Sequence, residues 1–250
     1  LEIAGKPMIC WVVERSLAAR NVTRVIVATD DARVCDAVNS AGYEAVMTRS
    51  NHASGTDRLA EVALSLPEFD VVVNVQGDEP LISPDTIDRA IEALLADPEC
   101  SMSTTWEPMT GPADVLNPDI VKVVLDDSGC AAYFSRAPVP YPRDAVRRHG
   151  SIESALANDR SLLSQFRKHT GLYVYRREFL LEYSRWPQSE LEQSEALEQL
   201  RALSYGVKIK VIQACAPSIG VDTMEDLERV REIVGKGSFE FRVSSSEFRV

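Results

Sequence analysis

The 250-residue chain contains no G-x-x-x-x-G-K-[ST], no G-x-G-x-x-G and no H-E-x-x-H, and no G-x-S-x-G elbow. The phosphate cradle of P-loop enzymes, the dinucleotide fingerprint, the helical zinc-protease motif and the serine-hydrolase turn are therefore excluded. Nucleophilic catalysis by Ser or Cys has no support. The five cysteines, Cys10, Cys35, Cys100, Cys130 and Cys215, are odd in number and widely spaced, without a C-x-x-C pair. Together with three scattered histidines, His52, His149 and His169, they offer no zinc-type spacing, and free thiols in a reducing cytoplasm are the expectation. Long apolar runs are missing too. Residues 71–73 and 121–125, the latter interrupted by Lys122, fall far below the roughly 20 residues of a membrane span, and no basic region followed by an apolar one opens the chain. Basic residues are scarce, 27 Lys and Arg against 38 Asp and Glu for a net charge of −11. That argues against a nucleic-acid-binding surface. A small anionic substrate would need a local cluster of Arg, Lys and backbone N–H groups, or a divalent cation.

What the chain does have is 45% apolar residues, enough to bury a full core as one large domain or a domain with a lobe. It is organised around Val71-Val72-Val73-Asn74-Val75-Gln76-Gly77-Asp78-Glu79-Pro80. A β-branched run suits an interior parallel strand, and the change to Gln, Gly, two carboxylates and proline marks where it leaves the sheet. Ligands of open α/β sheets bind outside such carboxyl ends, so Asp78 is expected to face a ligand or metal. Upstream, Pro7 suits the first turn of a helix running to about residue 19. A strand over 24–29 ends in Asp30-Asp31, placed to cap a helix over 32–41 that Gly42 stops, and a strand over 44–48 follows. Ser83-Pro84-Asp85 opens a helix over 85–96 with core positions Ile87, Ile91, Leu94 and Leu95. This alternation predicts an α/β fold, a mostly parallel central sheet flanked by helices.

Strands are expected over 101–106, 121–125, 130–134, 169–175 and 207–212, and Pro138, Pro140 and Pro142 rigidify an extended segment. Residues 143–167 read as a charged, lid-like loop with one short helix. Helices follow over 177–184 and 190–204, the second with Leu191, Leu197, Leu200 and Leu203 on one face. A last helix reaches about residue 234. The tail 235–250, which repeats Glu-Phe-Arg-Val, is read as a non-native scar or a loose strand without function.

Two places carry open alternatives. The loop 49–58 gathers Arg49, Ser50, His52, Ser54, Asp57 and Arg58 ahead of a helix. Ser54 with Asp57 matches a capping box, and helix N-termini attract anions: this is either a helix start alone or one that also binds a ligand. Asp222, with Glu225 after it, is either a helix cap or a second metal carboxylate partnering Asp78. Two carboxylates with free coordination positions suit Mg2+ beside phosphates. The plain reading of Glu198 and Arg201 is a surface i,i+3 pair, and that of Tyr173 a half-buried strand aromatic.

The blocks Asn74-Val75-Gln76-Gly77-Asp78-Glu79-Pro80, Ser54-Gly55-Thr56-Asp57-Arg58, Tyr133-Phe134-Ser135-Arg136-Ala137-Pro138, His169-Thr170-Gly171-Leu172-Tyr173, Leu197-Glu198-Gln199-Leu200-Arg201 and Gly220-Val221-Asp222-Thr223 together resemble the 3-deoxy-manno-octulosonate (Kdo) cytidylyltransferases, also called CMP-Kdo synthetases. The likeness runs over residues 1–234 as one cytidylyltransferase domain. It implies the Rossmann-like nucleotide-diphospho-sugar transferase fold with a smaller sugar-binding and dimerisation lobe. It also implies a cytoplasmic, Mg2+-dependent homodimer that joins CTP and Kdo into CMP-Kdo and pyrophosphate for lipopolysaccharide biosynthesis. Carried over by position, Asp78 and Asp222 bind Mg2+ as the catalytic pair. Ser54, Gly55, Arg58 and Gln76 line the cytidine site, and Arg136, His169, Tyr173, Glu198 and Gln199 face Kdo.

Members of that family begin with a strand and a basic loop of the form A-R-x-x-S-x-R-L-P-G-K-P, and Leu1 falls just after it; Lys6 belongs to a second Gly-Lys-Pro. The expectation is a shortened N-terminus and weak or absent transfer by the chain as written. Rival readings are a cytidylyltransferase for another acidic sugar such as sialic acid, and a catalytically impaired nucleotide-binding homologue. A glycosyltransferase would want an Asp-x-Asp motif that Gly77-Asp78-Glu79 does not supply.

Overall fold

The computed structural model describes residues 1–52 and 54–236, so most of the tail expected over 235–250 lies outside the described residues. In chain order the elements are β1 (Glu2–Ile3), β2 (Lys6–Pro7), α1 (Met8–Leu17), β3 (Val27–Thr29), α2 (Ala32–Ser40), β4 (Ala45–Met47), α3 (Gly55–Leu64), β5 (Val71–Asn74) and α4 (Pro84–Ala96). There follow β6 (Cys100–Pro108), α5 (Pro112–Leu116), β7 (Lys122–Leu125), β8 (Ala131–Ser135), α6 (Arg143–His149), α7 (Ile152–Asn158), β9 (Arg167–Arg176), α8 (Arg177–Tyr183), α9 (Glu190–Glu195), α10 (Gln199–Ser204), β10 (Lys208–Gln213) and α11 (Met224–Gly235). They form two compact units, one of residues 1–51, 75–88 and 216 onward, the other of residues 52–74 and 89–215. Among the described residues no helix is long and apolar enough to cross a membrane.

In the first unit, Ala4 and Gly5 at positive φ close the β1–β2 hairpin, and β3 pairs with β4 in parallel. Asp31 caps α2 as expected, accepting from the Arg33 N–H at 2.8 Å, and Gly42 at φ 83° turns the chain out of it. Pro7 stands just before α1 rather than inside its first turn. Ile3, Trp11, Leu81, Val221, Leu227 and Val230 form the core of this unit. The Trp11 indole N–H, buried there, is satisfied by the Ile3 carbonyl at 3.0 Å.

The second unit holds a mixed sheet in the order β10-β6-β9-β7-β8, with β5 also paired to β9. β10 runs parallel to β6. β9 is antiparallel to β5, β6 and β7. The valine run therefore forms a strand, but its ladder is antiparallel, and its residues are half-buried instead of closed in on both faces. Met102, Val123, Phe134, Tyr175, Leu180, Leu200, Ile209 and Val211 belong to the core beneath this sheet.

Three expectations are corrected here. Residues 143–167 are not a loop with one helix. They contain α6, α7 and a 3-10 turn over residues 160–165, because Ala155, Leu156, Leu162 and Phe166 bury a small core with Met109 and Val115. The helix expected over 190–204 is broken into α9 and α10 by Ala196, which adopts a left-handed φ of 51°. Leu191 and Leu95, assigned to core faces, are instead 42% and 56% exposed.

Candidate active site

The break at Ala196 decides where Glu198 goes. It lowers the chain so that the Glu198 carboxylate receives the Ser54 hydroxyl at 3.1 Å and the Thr56 hydroxyl at 2.9 Å, from residues 144 and 142 positions earlier. Arg201 lies 3.5 Å from the same carboxylate but is committed to Glu192 through two bonds of 2.7 and 2.6 Å. Glu198 and Arg201 are thus not a surface pair. Arg201 and Glu192 form a buried bidentate ion pair, and Glu198 stands over it. Burial pushes the Glu198 carboxyl up, while Thr56, Arg201 and Ser54 oppose that shift. A carboxylate has about four acceptor positions, so two remain for a ligand. Tyr183 fixes the backbone by donating to the Glu198 carbonyl at 2.6 Å. Gln199, the first residue of α10, is buried beside it.

Ser54 serves as the cap of α3, accepting from the Asp57 N–H at 3.2 Å, and its hydroxyl also reaches Glu198, so the capping role does not use up the side chain. Gly55 is exposed, with open space where a side chain would stand, and Arg58 sits half-buried one turn further along α3. His52 is spent on α3 itself, paired with Glu61.

A β-bulge builds the next part. The register of β6 against β9 shifts between Thr104 and Thr105, which face Tyr173 and Thr170 respectively. Extra residues in β9 re-aim its side chains there. The Thr104 hydroxyl meets His169 Nε2 at 2.9 Å and donates to the Leu172 carbonyl at 2.8 Å. His169 packs edge-on against Phe134 at 4.9 Å and lies 5.4 Å from the Tyr173 ring, which stacks in turn on Tyr175. Burial pushes the His169 imidazole down to about 3, leaving it neutral at physiological pH with a donor and an acceptor nitrogen. Burial raises the Tyr173 phenol well above its usual range, so it remains a donor.

Arg136 is held by backbone. Its side chain donates to the carbonyls of Glu195, Pro118 and Ala196 at 2.7, 3.0 and 3.3 Å. Its own N–H donates to the Glu195 carboxylate at 2.9 Å, beside the Ser135 hydroxyl at 2.7 Å. Of the five guanidinium donors, those not directed at carbonyls remain for an anion. Underneath, fully buried Lys122 donates to the carbonyls of Asn117, Ile120 and Arg136 at 2.9, 2.7 and 2.7 Å. Sequence reasoning missed Thr56, Thr104, Lys122, Glu192 and Glu195 as supports of the site. Only Lys122 left a sequence signal, a cation inside an apolar strand.

In the first unit, the turn after β5 carries Gln76 exposed and Asp78 half-buried. The Val221 N–H donates to the Asp78 carbonyl at 2.9 Å, which fastens the segment before α11 to that turn and brings Asp222 near Asp78. Burial, and next the charge of Asp222, push the Asp78 carboxyl up. α11 is capped by Thr223 and Asp226, not by Asp222 and Glu225, so the helix cap does not account for Asp222. Among the described residues no Lys or Arg is bonded to either carboxylate. Two adjoining hard oxygen donors without a protein counter-charge fit a hard divalent cation.

The family model for "Cytidylyltransferase" matches residues 1–209. A 3-deoxy-manno-octulosonate cytidylyltransferase of Trichlorobacter lovleyi is 49% identical, covering 94% of this chain and 91% of that one. A solved CMP:2-keto-3-deoxy-manno-octonic acid synthetase complexed with CTP superposes with a TM-score of 0.83 at 41% identity, over 95% of this chain and 91% of the other. The 4-diphosphocytidyl-2C-methyl-D-erythritol synthase of Anaerococcus prevotii, at 12% identity and a TM-score of 0.58, shares the fold.

Proposed function

The chain belongs to the cytidylyltransferase family, and from that premise we propose that it activates Kdo by the reaction CTP + Kdo → CMP-Kdo + pyrophosphate, supplying lipopolysaccharide biosynthesis. The observation that carries this reading is the 49% identity, over 94% of the chain, to a relative named for that sugar. The α/β fold shared with nucleotidyltransferases agrees with it.

On this reading catalysis rests on positioning and charge neutralisation, not on a covalent intermediate. Asp78 and Asp222 hold Mg2+, which when bound neutralises phosphate charge and polarises the attacking hydroxyl. Ser54, Gly55, Arg58 and Gln76 are assigned to the nucleotide. The bare Gly55 at the start of α3 lets a ligand approach the backbone N–H groups there. For the sugar, the uncommitted Arg136 donors suit the Kdo carboxylate. Neutral His169, the Tyr173 hydroxyl, the remaining Glu198 acceptors and Gln199 suit its hydroxyls. Arg136, His169 and Glu198 are each fixed by hydrogen-bond partners of their own and Tyr173 by stacking on Tyr175, the preorganisation that selective hydroxyl recognition needs. The protein is proposed to work as a cytoplasmic homodimer, in keeping with the resemblance and with its free cysteines.

Pyrophosphate release from CTP by the purified protein tests the reading. It should require Kdo and Mg2+ and cease with EDTA. Equal release with sialic acid would transfer the assignment to another acidic sugar, and CTP binding without any release would favour the impaired homologue.

A further inference from the structure

A second set of metal-ligating side chains lies outside the residues assigned to substrates. Asp97, Cys100 and Cys130 present a carboxylate oxygen and two sulfurs, all within 4.8 Å of one another. The fold brings them together from three segments. Asp97 follows α4, Cys100 opens β6 opposite Lys208, and Cys130 bridges Lys210 on the other edge of β10. The two sulfurs are 3.7 Å apart. Two thiolates on a tetrahedral zinc, each at about 2.3 Å, are themselves separated by about 3.8 Å, so the pair stands at the spacing an ion requires. A disulfide would have to close that gap to about 2.05 Å, drawing together segments on opposite edges of a strand. The cysteines are buried at 1% and 4% exposure while Asp97 is partly open, which gives the ion an entry and leaves water a fourth position.

We propose that Asp97, Cys100 and Cys130 form a site for a borderline-soft divalent cation of the zinc class, separate from the hard-oxygen pair Asp78 and Asp222. In the metal-free protein the Cys100 thiol is held up to about 12, by burial first and then by Cys130 and Asp97, so Cys100 carries a proton. Binding breaks two S–H bonds, forms two metal–sulfur bonds and releases two protons to solvent. Affinity therefore rises with pH. Lys210, 3.4 Å from Asp97, competes for the carboxylate but retains the Ser128 carbonyl at 2.8 Å when the metal takes it. Lys208 is engaged by Glu99.

Titrating the reduced, metal-stripped full chain with Co2+ tests the site. One equivalent should bring up thiolate-to-cobalt charge-transfer absorption that Zn2+ then displaces, and a Mg2+ site of carboxylates produces no such band. The absorption should vanish in Cys100→Ser and in Cys130→Ser. Asp97→Asn, at a partly exposed position with both thiols intact, should weaken Co2+ binding at least about tenfold, since losing even an outer-shell partner costs about that much. Absence of the band at millimolar Co2+, its persistence in Cys100→Ser, or unchanged affinity in Asp97→Asn would each overturn the proposal.

Discussion

Asp78 is held above the usual carboxylate range by burial and by the charge of Asp222. A carboxyl raised in the folded state weakens the fold once pH passes its unfolded value, because the ionised form must be carried into the buried site. Asp78→Asn should therefore raise Tm in metal-free buffer at neutral pH while lowering Mg2+-dependent transfer by about a thousandfold. Lower Tm with retained transfer would remove Asp78 from the metal. The sign is equally definite at His169, pushed down to about 3 from an ordinary 6.5. The unfolded chain takes up this proton and the folded one does not, so the histidine's contribution to stability is lost as pH falls from about 6.5 towards 3. Urea midpoints should show a loss of about 1.4 kcal/mol per pH unit from this residue, absent in His169→Gln. The place of Asp78 just after a strand could be read from sequence because a valine run ending in carboxylates is a local pattern. Thr56 and Glu195 could not, because each gains meaning only when residues far along the chain fold against it.

At the scale of elements, most helices and strands follow from periodicity and punctuation. Asp31 and Gly42 bound α2, and the apolar spacing of Ile87, Ile91 and Leu94 gives α4. The failures have a shared cause. In 143–167 the charged residues hid a small core that also draws on Met109 and Val115 from an earlier stretch of the chain. At Ala196 a good helix former takes a left-handed conformation with nothing in its sequence to announce it, and the whole placement of Glu198 depends on that kink. The strain is of the order of 1 kcal/mol for a residue with a Cβ. Ala196→Gly should stabilise the protein by about 0.5–1 kcal/mol in urea unfolding and leave the KM for Kdo unchanged. Destabilisation would mean that α9 and α10 are held apart by something other than this turn.

Across the whole molecule, the mixed α/β architecture was legible from the alternation of elements, but the direction of the valine strand was not. Side-chain pattern registers burial, and the antiparallel partner of β5 comes from β9, about a hundred residues later. The acidic balance of 38 Asp and Glu against 27 Lys and Arg gains its explanation at this scale as well. A chain with that balance needs a cation and a few fixed donors to hold a nucleotide, and on the proposed reading the Asp78–Asp222 pair would hold that cation. The direct test is 31P NMR of the protein with CTP, Mg2+ and Kdo. The account predicts that the three CTP signals give way to one phosphodiester resonance of CMP-Kdo and one of pyrophosphate, only when Kdo is present. CTP signals that persist with Kdo present, or that decay to CMP and pyrophosphate without it, would contradict the account.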